Sequence, residues 1–416
     1  MIAVTCGLAV GAAASAAVLP WTTKAMRWQA STSTVTVVTP AVVTNDFTIR
    51  FLTGVFPTNL ILGLTPSVTN AAQYDPGDGV WYGFTSRTIT LATASSYISF
   101  RGAWTNSSRT YQSLFSGTFN TNTYTCQTEG SFSNTPSTTN AYYDMFLNAK
   151  TIVSFTTNPI PLLTGPPAAN MFRTTFNGMT GVTNLPDGFM NTSGLTGAPA
   201  ASMFESACRD ITGVTNLPAG FMNTSGLTGS PAGNMFYRAC LNMTGAKNLP
   251  DGFMDTRGLT GVPAASMFDS ACSGMTGVKT LPAGFLNTSG LTGAPIAAMF
   301  RQTCYNMSGV TNLPVGFLDA SGLSGSPAAN MFYQTCYSMS GVVAGDFNMS
   351  SNITFVTTNI TSSMAYSFAG MTKWTGTVFW GTNRIYEAIT NPATDANVFQ
   401  NSTNVPGHTS MGGNWK

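Results

Sequence analysis

The sequence predicts a mixed α/β repeat protein, in which an apolar N-terminal helix and a small antiparallel β-sandwich precede a solenoid of 32-residue coils. Three observations carry this. Met-Phe pairs begin at Met171, Met203, Met235, Met267, Met299 and Met331, each 32 residues after the last. Five of the seven cysteines, Cys208, Cys240, Cys272, Cys304 and Cys336, keep the same interval. Ahead of the array lie short runs that alternate apolar with polar residues, and ahead of those an uncharged stretch from Ile2 to Leu19.

That first stretch (segment 1–30) is Ala-rich, contains Gly7 and Gly11, and ends at Pro20, with Trp21, Lys24, Arg27 and Trp28 following. Three readings compete for it. Ala14-Ser15-Ala16 would suit a cleaved secretory signal, but the basic region that normally precedes the apolar core is missing. A membrane anchor needs about 20 strongly apolar residues, and this run is borderline. A lipid anchor at Cys6 would expect a small residue where Thr5 stands. The reading favoured is a retained helix that packs against its copies in neighbouring subunits. An apolar helix broken by proline at this point resembles the assembly helix of type IV pilin-like proteins, although Thr5 stands where those carry glutamate.

Segment 31–139 is Thr-rich. Its runs Thr34–Val38, Asp46–Phe51, Thr88–Ala92 and Tyr97–Gly102 alternate β-branched and aromatic residues with polar ones, the pattern of half-buried antiparallel strands. A small β-sandwich follows from that pattern. Asp75-Pro76-Gly77-Asp78-Gly79 reads as a turn in preference to a calcium loop, because Ca²⁺ takes about six or more oxygen ligands.

Each repeat can be parsed from its punctuation. Pro199, then Ala200, Ala201, Met203, Phe204, Ala207 and Cys208, puts proline at a helix start and apolar residues at helical spacing, so every coil is expected to open with a short helix. Ile211, Val214 and Leu217 then recur every third residue and point inward. Leu217-Pro218-Ala219-Gly220 turns the chain, Phe221 and Met222 return to the core, and Gly226-Leu227-Thr228-Gly229 makes the last corner. One coil cannot cover its own apolar face, so neighbours must. Six full copies occupy 171–362. Segment 140–170 reads as an N-terminal cap copy built on Tyr142, Tyr143, Met145 and Phe146. Segment 363–416 reads as a decayed copy, Met364–Trp374, one residue out of step, whose end Trp374, Phe379 and Trp380 would close before a C-terminal tail. Because Phe176 fills the cysteine slot in the first full copy, the cysteine ladder reads as core packing and not as disulfides.

The order Phe-x₃-Cys-x₂-Ile/Met-x₂-Val-x₂-Leu-Pro over residues 140–380 resembles the BspA-like (Treponema-type) leucine-rich repeats of surface proteins, with Asn-Thr-Ser-Gly-Leu-Thr-Gly added to each copy. The resemblance implies a leucine-rich-repeat-type solenoid at the cell surface, used for attachment or protein contacts.

Composition narrows the function. Only 8% of residues are charged, against about 25% in ordinary domains, and the net charge is +2. Nucleic acid is disfavoured, since it needs clustered Lys and Arg. His408 is the sole histidine and no CxxC pair exists, so zinc sites and histidine acid–base chemistry lack their usual parts. No cofactor or metal is expected. Comparing copies separates fixed core positions from variable outward ones, and among the latter Tyr237, Arg238, Arg301, Tyr305, Tyr333 and Tyr337 form a candidate interaction face, Tyr and Arg being the types that dominate interface hot spots. An ordinary solvated face is the plainer alternative. Asn191, Asn223 and Asn287 stand in Asn-Thr-Ser sequons and are candidate glycosylation sites. Together these features point to a non-enzymatic extracellular structural protein, a self-assembling pilus-like filament subunit whose partners are copies of itself through the N-terminal helix, with a protein or glycan ligand on the solenoid. An adhesin binding a host or neighbouring-cell ligand through the solenoid is the alternative.

Overall fold

The computed structural model describes residues 47–52, 59–61, 73–83, 88–91, 97–102, 105–106, 109–110, 113–118, 126–132, 139–160, 162–350, 352–353, 363–388 and 397–411. All belong to one compact unit, Thr44–Lys416. The helix expected over residues 1–30 and the strand expected at Thr34–Val38 lie outside the described residues.

The strands of the front segment are β1 (Phe47–Leu52), β2 (Asn59–Ile61), β3 (Gln73–Asp75), β4 (Tyr82–Gly83), β5 (Thr88–Thr90), β6 (Tyr97–Gly102), β7 (Thr105–Asn106), β8 (Arg109–Thr110) and β9 (Cys126–Phe132). After them come β10 (Ile152–Phe155), β11 (Phe347–Met349), β12 (Val378–Trp380), β13 (Asn383–Arg384) and a single helical turn, α1 (Ile385–Ala388). Asp46–Phe51, Thr88–Ala92 and Tyr97–Gly102 thus do form strands. They do not form a sandwich. One six-stranded sheet runs β10-β9-β1-β6-β3-β4, beside the separate pairs β2-β5 and β7-β8. Its inner face, Ile49, Phe51, Ile98 and Phe100, is fully buried, and Phe51 and Phe100 both meet Phe115 edge-on at 5.0 and 5.2 Å. Asp75 closes the turn after β3 as expected, its Oδ1 accepting from the amides of Gly77 and Gly79.

The mixed α/β expectation is overturned in the repeats. Among the described residues the helical elements are α1 and one 3-10 turn at His408–Ser410, and no coil opens with a helix. The Met-Phe segment is instead a run of tight turns in which alternate amides bond within the coil and across to the next. Glu205 and Ala207 donate three residues back, to Ser202 and Phe204, while Phe204, Ser206 and Cys208 donate to the carbonyls of Met235, Tyr237 and Ala239. Every fourth residue, such as Ser202, Ser206 and Asp210, has φ between 52 and 61°, which breaks any right-handed helix.

Pitch gives the reason. Other parts of the coil are also bonded directly to their neighbours. Lys247, Lys279 and Thr311 donate their amides to the residue one coil back, and so do Met222, Met254 and Leu286. Backbones joined this way lie about 4.8 Å apart. Side-by-side α-helices need about 8–10 Å. A stack bonded around most of its circumference has no room for a helix on any side.

Like residues therefore stack on like. Tyr142, Phe172, Phe204, Phe236, Phe268, Phe300 and Phe332 form one column of rings with centroids 5.2–5.8 Å apart. Phe189, Phe221, Phe253, Phe285 and Phe317 form a second at 5.9–6.4 Å. The cysteine slot is a third. The cross-coil bonds align it as Phe115, Phe146 and Phe176, then the five cysteines, then Phe368 and Phe399. The thiols are fully buried and unpaired, and Cys240 and Cys272 touch the thioethers of Met222 and Met254 at 3.4 and 3.5 Å.

This alignment revises the ends. In the front cap the Met-Phe slots hold Ala141-Tyr142, and Phe146 takes the cysteine slot. A further coil segment, Ser113–Thr118, stacks before it, so the front sheet and the repeats share one core. At the other end the copy is in step, with Ser363-Met364 in the Met-Phe slots. Trp374 is fully buried inside the stack, because residues 397–402 add another segment beyond it.

Two glycines show how the pitch constrains sequence. A Cβ on Gly258 would stand 2.2 Å from the Leu227 carbonyl oxygen of the coil below, whereas one on Gly197, at φ +85°, would meet nothing within 4 Å. Gly197→Ala is expected to cost about 1 kcal/mol of backbone strain, and Gly258→Ala about 1–3 kcal/mol because backbone must move; chemical denaturation of the two variants checks the order. The buried thiols supply a second expectation. Burial pushes Cys208, Cys272 and Cys336 well above the ordinary thiol range, so the stability they lend is present below the unfolded value of about 8.5 and is lost as pH rises above it. Alkylation mapped by mass spectrometry should find the five ladder cysteines protected at neutral pH, with protection failing as the stack opens in alkali.

Candidate interaction face

The proposed interaction residues lie on the outer side of the tight-turn run, where three positions of each coil face away from the core. The second residue after each Met forms the column Arg173, Glu205, Tyr237, Asp269, Arg301, Tyr333. The third gives Thr174, Ser206, Arg238, Ser270, Gln302, Gln334, all left-handed with φ 50–57°. The sixth gives Asn177, Arg209, Leu241, Ser273, Tyr305, Tyr337. Since cross-coil bonds fix the run on both sides, each side chain's neighbours are its counterparts one coil away.

The first half of the face is charged and internally paired. Arg173 meets Glu205 at 3.1 Å and Arg301 meets Asp269 at 3.6 Å. Arg238 lies 4.7 Å from the ring of Tyr237. Asp269 is buried, and burial raises its pKa despite a hydrogen bond from Ser270 and the charges of Arg301 and Arg238. Asp144 is raised likewise by burial, although Thr174 donates to it and Arg173 stands near.

The second half is aromatic. Tyr305 and Tyr337 stack with centroids 5.2 Å apart and 6° between planes, as their spacing requires, and Tyr366 closes the row edge-on at 6.3 Å. Gln302 donates to Gln334 at 2.8 Å beneath them. The phenol groups of Tyr305, Tyr333 and Tyr337 have no hydrogen-bond partner among the described residues. Of the six candidates, then, Tyr305 and Tyr337 are brought together, Tyr237 and Arg238 pair within one coil, and Arg301 is held by Asp269. Sequence reasoning missed Tyr366, which occupies the slot of Gln334, and the signal was the register: counting 32 residues from Gln334 finds it.

The sequon asparagines occupy another column, at the corner after Phe-Met. Asn191, Asn223 and Asn287 are half-buried, and each Oδ1 accepts from the amide and hydroxyl of the serine two residues on. Asp255 and Asp319 fill the same slot in other coils and accept the same amide bond, from Arg257 and Ser321. The slot thus requires an acceptor oxygen at the corner, which either side chain supplies.

No group of three or more His, Cys, Asp or Glu side chains among the described residues is placed to hold a metal ion. No known protein-family model matches the chain, and no curated protein matches it.

Removing the guanidinium beside Asp269 should raise that carboxyl further. Arg301→Ala is expected to cost about 1–2 kcal/mol, discounted for the exposure of Arg301. Adding Asp269→Asn should restore the loss, as a double-mutant cycle by thermal denaturation would show.

Proposed function

We propose that this chain is a non-enzymatic structural protein of the cell surface or extracellular space, whose coil stack carries a contact face outward and whose copies associate through the apolar N-terminal segment. One observation supports the structural role above others: a single core runs from the front sheet through the last coil segment, with each coil bonded to the next around most of its circumference. A stack of that kind holds its outward columns at fixed spacing over its whole length. The low charge content fits the same reading, because it leaves little repulsion between copies. So does the BspA-like pattern of the repeats. Electron microscopy of the purified chain is expected to find filaments or ordered assemblies; a monodisperse monomer at all concentrations tried counts against self-assembly.

The tyrosine face favours a second reading, attachment to a protein or glycan ligand. Its support is the row of phenols without partners beside rings already stacked, a preordered aromatic patch of the type enriched in interface hot spots. Beads coated with the full chain should adhere to cells or matrix-coated surfaces, and Tyr305→Ala with Tyr337→Ala should abolish that adhesion without loss of the fold by circular dichroism. Equal adhesion by the variant would remove this face from consideration.

A further inference from the structure

Each coil uses two threonines differently. Thr192, Thr224, Thr256 and Thr288 are buried, and each donates its hydroxyl to a carbonyl of the next coil at 2.7–2.9 Å. Four residues later Thr196, Thr228, Thr260 and Thr292 are exposed, and with Thr164 before and Ser324 after they make a column of six hydroxyls. These six form no hydrogen bond through their side chains among the described residues.

The column is rigid and regular. The amides of Thr196, Thr228, Thr260, Thr292 and Ser324 donate to Gly165, Gly197, Gly229, Gly261 and Gly293 of the preceding coils at 2.8–2.9 Å. Parallel bridges from Gly165↔Leu195 to Gly293↔Leu323 flank them, so the hydroxyls ride a continuous ladder at about 4.8 Å spacing. Their orientation repeats as well. The methyl groups of Thr164, Thr228 and Thr260 each lie 3.2–3.5 Å from where a Cβ on Gly194, Gly258 or Gly290 would stand, and β-branching holds χ1 stiff. Beside this column runs a second exposed one, Ala198, Ser230, Val262, Ala294 and Ser326. Neither column contains a charge.

We propose that this face binds ice. It offers hydroxyls that can replace water in a lattice, methyls that can seat between lattice positions, and a fixed repeat, so that adsorption costs little ordering of the protein. The chemistry of the face selects this partner. Six coils at about 4.8 Å and a width of about 10 Å give about 300 Å² per molecule, well short of the roughly 800 Å² a stable pair of copies buries on each side. A sugar chain would be gripped by aromatic faces or planar amides and carboxylates, and these two columns hold none. An ice surface extends indefinitely, and a rigid array held on it at many weak points stops its growth locally. This inference is independent of the tyrosine face.

The test is partition of the full chain into a slowly grown ice shell, with recrystallisation of a frozen suspension as a second readout. Wild type should concentrate in the ice, and Thr228→Lys with Thr260→Lys should lose that incorporation. Thr215→Lys is the control. It lies in an exposed column where Lys247 and Lys279 already stand, so incorporation should be unchanged. Circular dichroism of every variant verifies the fold. Exclusion of wild type like an inert protein, or equal incorporation of the double variant, overturns the proposal. So does capture of wild type by cellulose or chitin, or formation of a dimer, that the same double variant abolishes.

Discussion

The structure depends on one constraint: consecutive coils are joined backbone to backbone around most of their circumference, which fixes their spacing near 4.8 Å. Helices are shut out at that pitch, and the chain answers with tight turns whose alternate amides reach the next coil. Glycine is required wherever one coil's carbonyl points at the next coil's Cα, as below Gly258. Rings pack face over face, because a phenylalanine's nearest neighbours are its own counterparts. The front sheet obeys the same geometry, with β10 continuing through Ser154 into the bridge ladder of the coils.

The constraint also accounts for the composition. In a column at this pitch, two like charges repel by about 1 kcal/mol even in water. Charged residues in the interaction face accordingly alternate in sign, Arg173 against Glu205 and Asp269 against Arg301. Lys247 and Lys279 are an adjacent like pair, and both are exposed, where long side chains can splay apart. Thr, Ser, Asn and Gly escape the penalty, and stacking turns them to use as hydroxyl-to-carbonyl bonds inside and as corner acceptors at Asn191, Asn223 and Asn287. The same chemistry gives the protein two different outward faces, one aromatic and paired, the other short-chained and uniform.

Much of the interaction face was legible because period converts directly into proximity. Tyr305 and Tyr337 stand 32 residues apart and stack. Pairings across columns were not legible: that Asp269 is buried between Arg301 and Arg238 depends on side-chain reach over the turn run, which spacing does not specify. The cap registers failed for a related reason. Met145-Phe146 and Met364 imitate the repeat's opening in letters, whereas the cross-coil bonds place them four slots and one slot away.

The sequence by itself determined the period, the stacked columns, the strands at Asp46–Phe51 and Tyr97–Gly102, and the buried, unpaired state of the five ladder cysteines. Each of these follows from repetition or alternation along the chain. Tertiary structure alone decided that apolar residues at helical spacing after Pro199 would form turns, and that the front strands would join one sheet and share the core of the coils. The apolar spacing suits a helix and a tight-turn run alike. What separates them is whether a neighbouring backbone lies at hydrogen-bonding distance, a fact about the stack and not about any one coil.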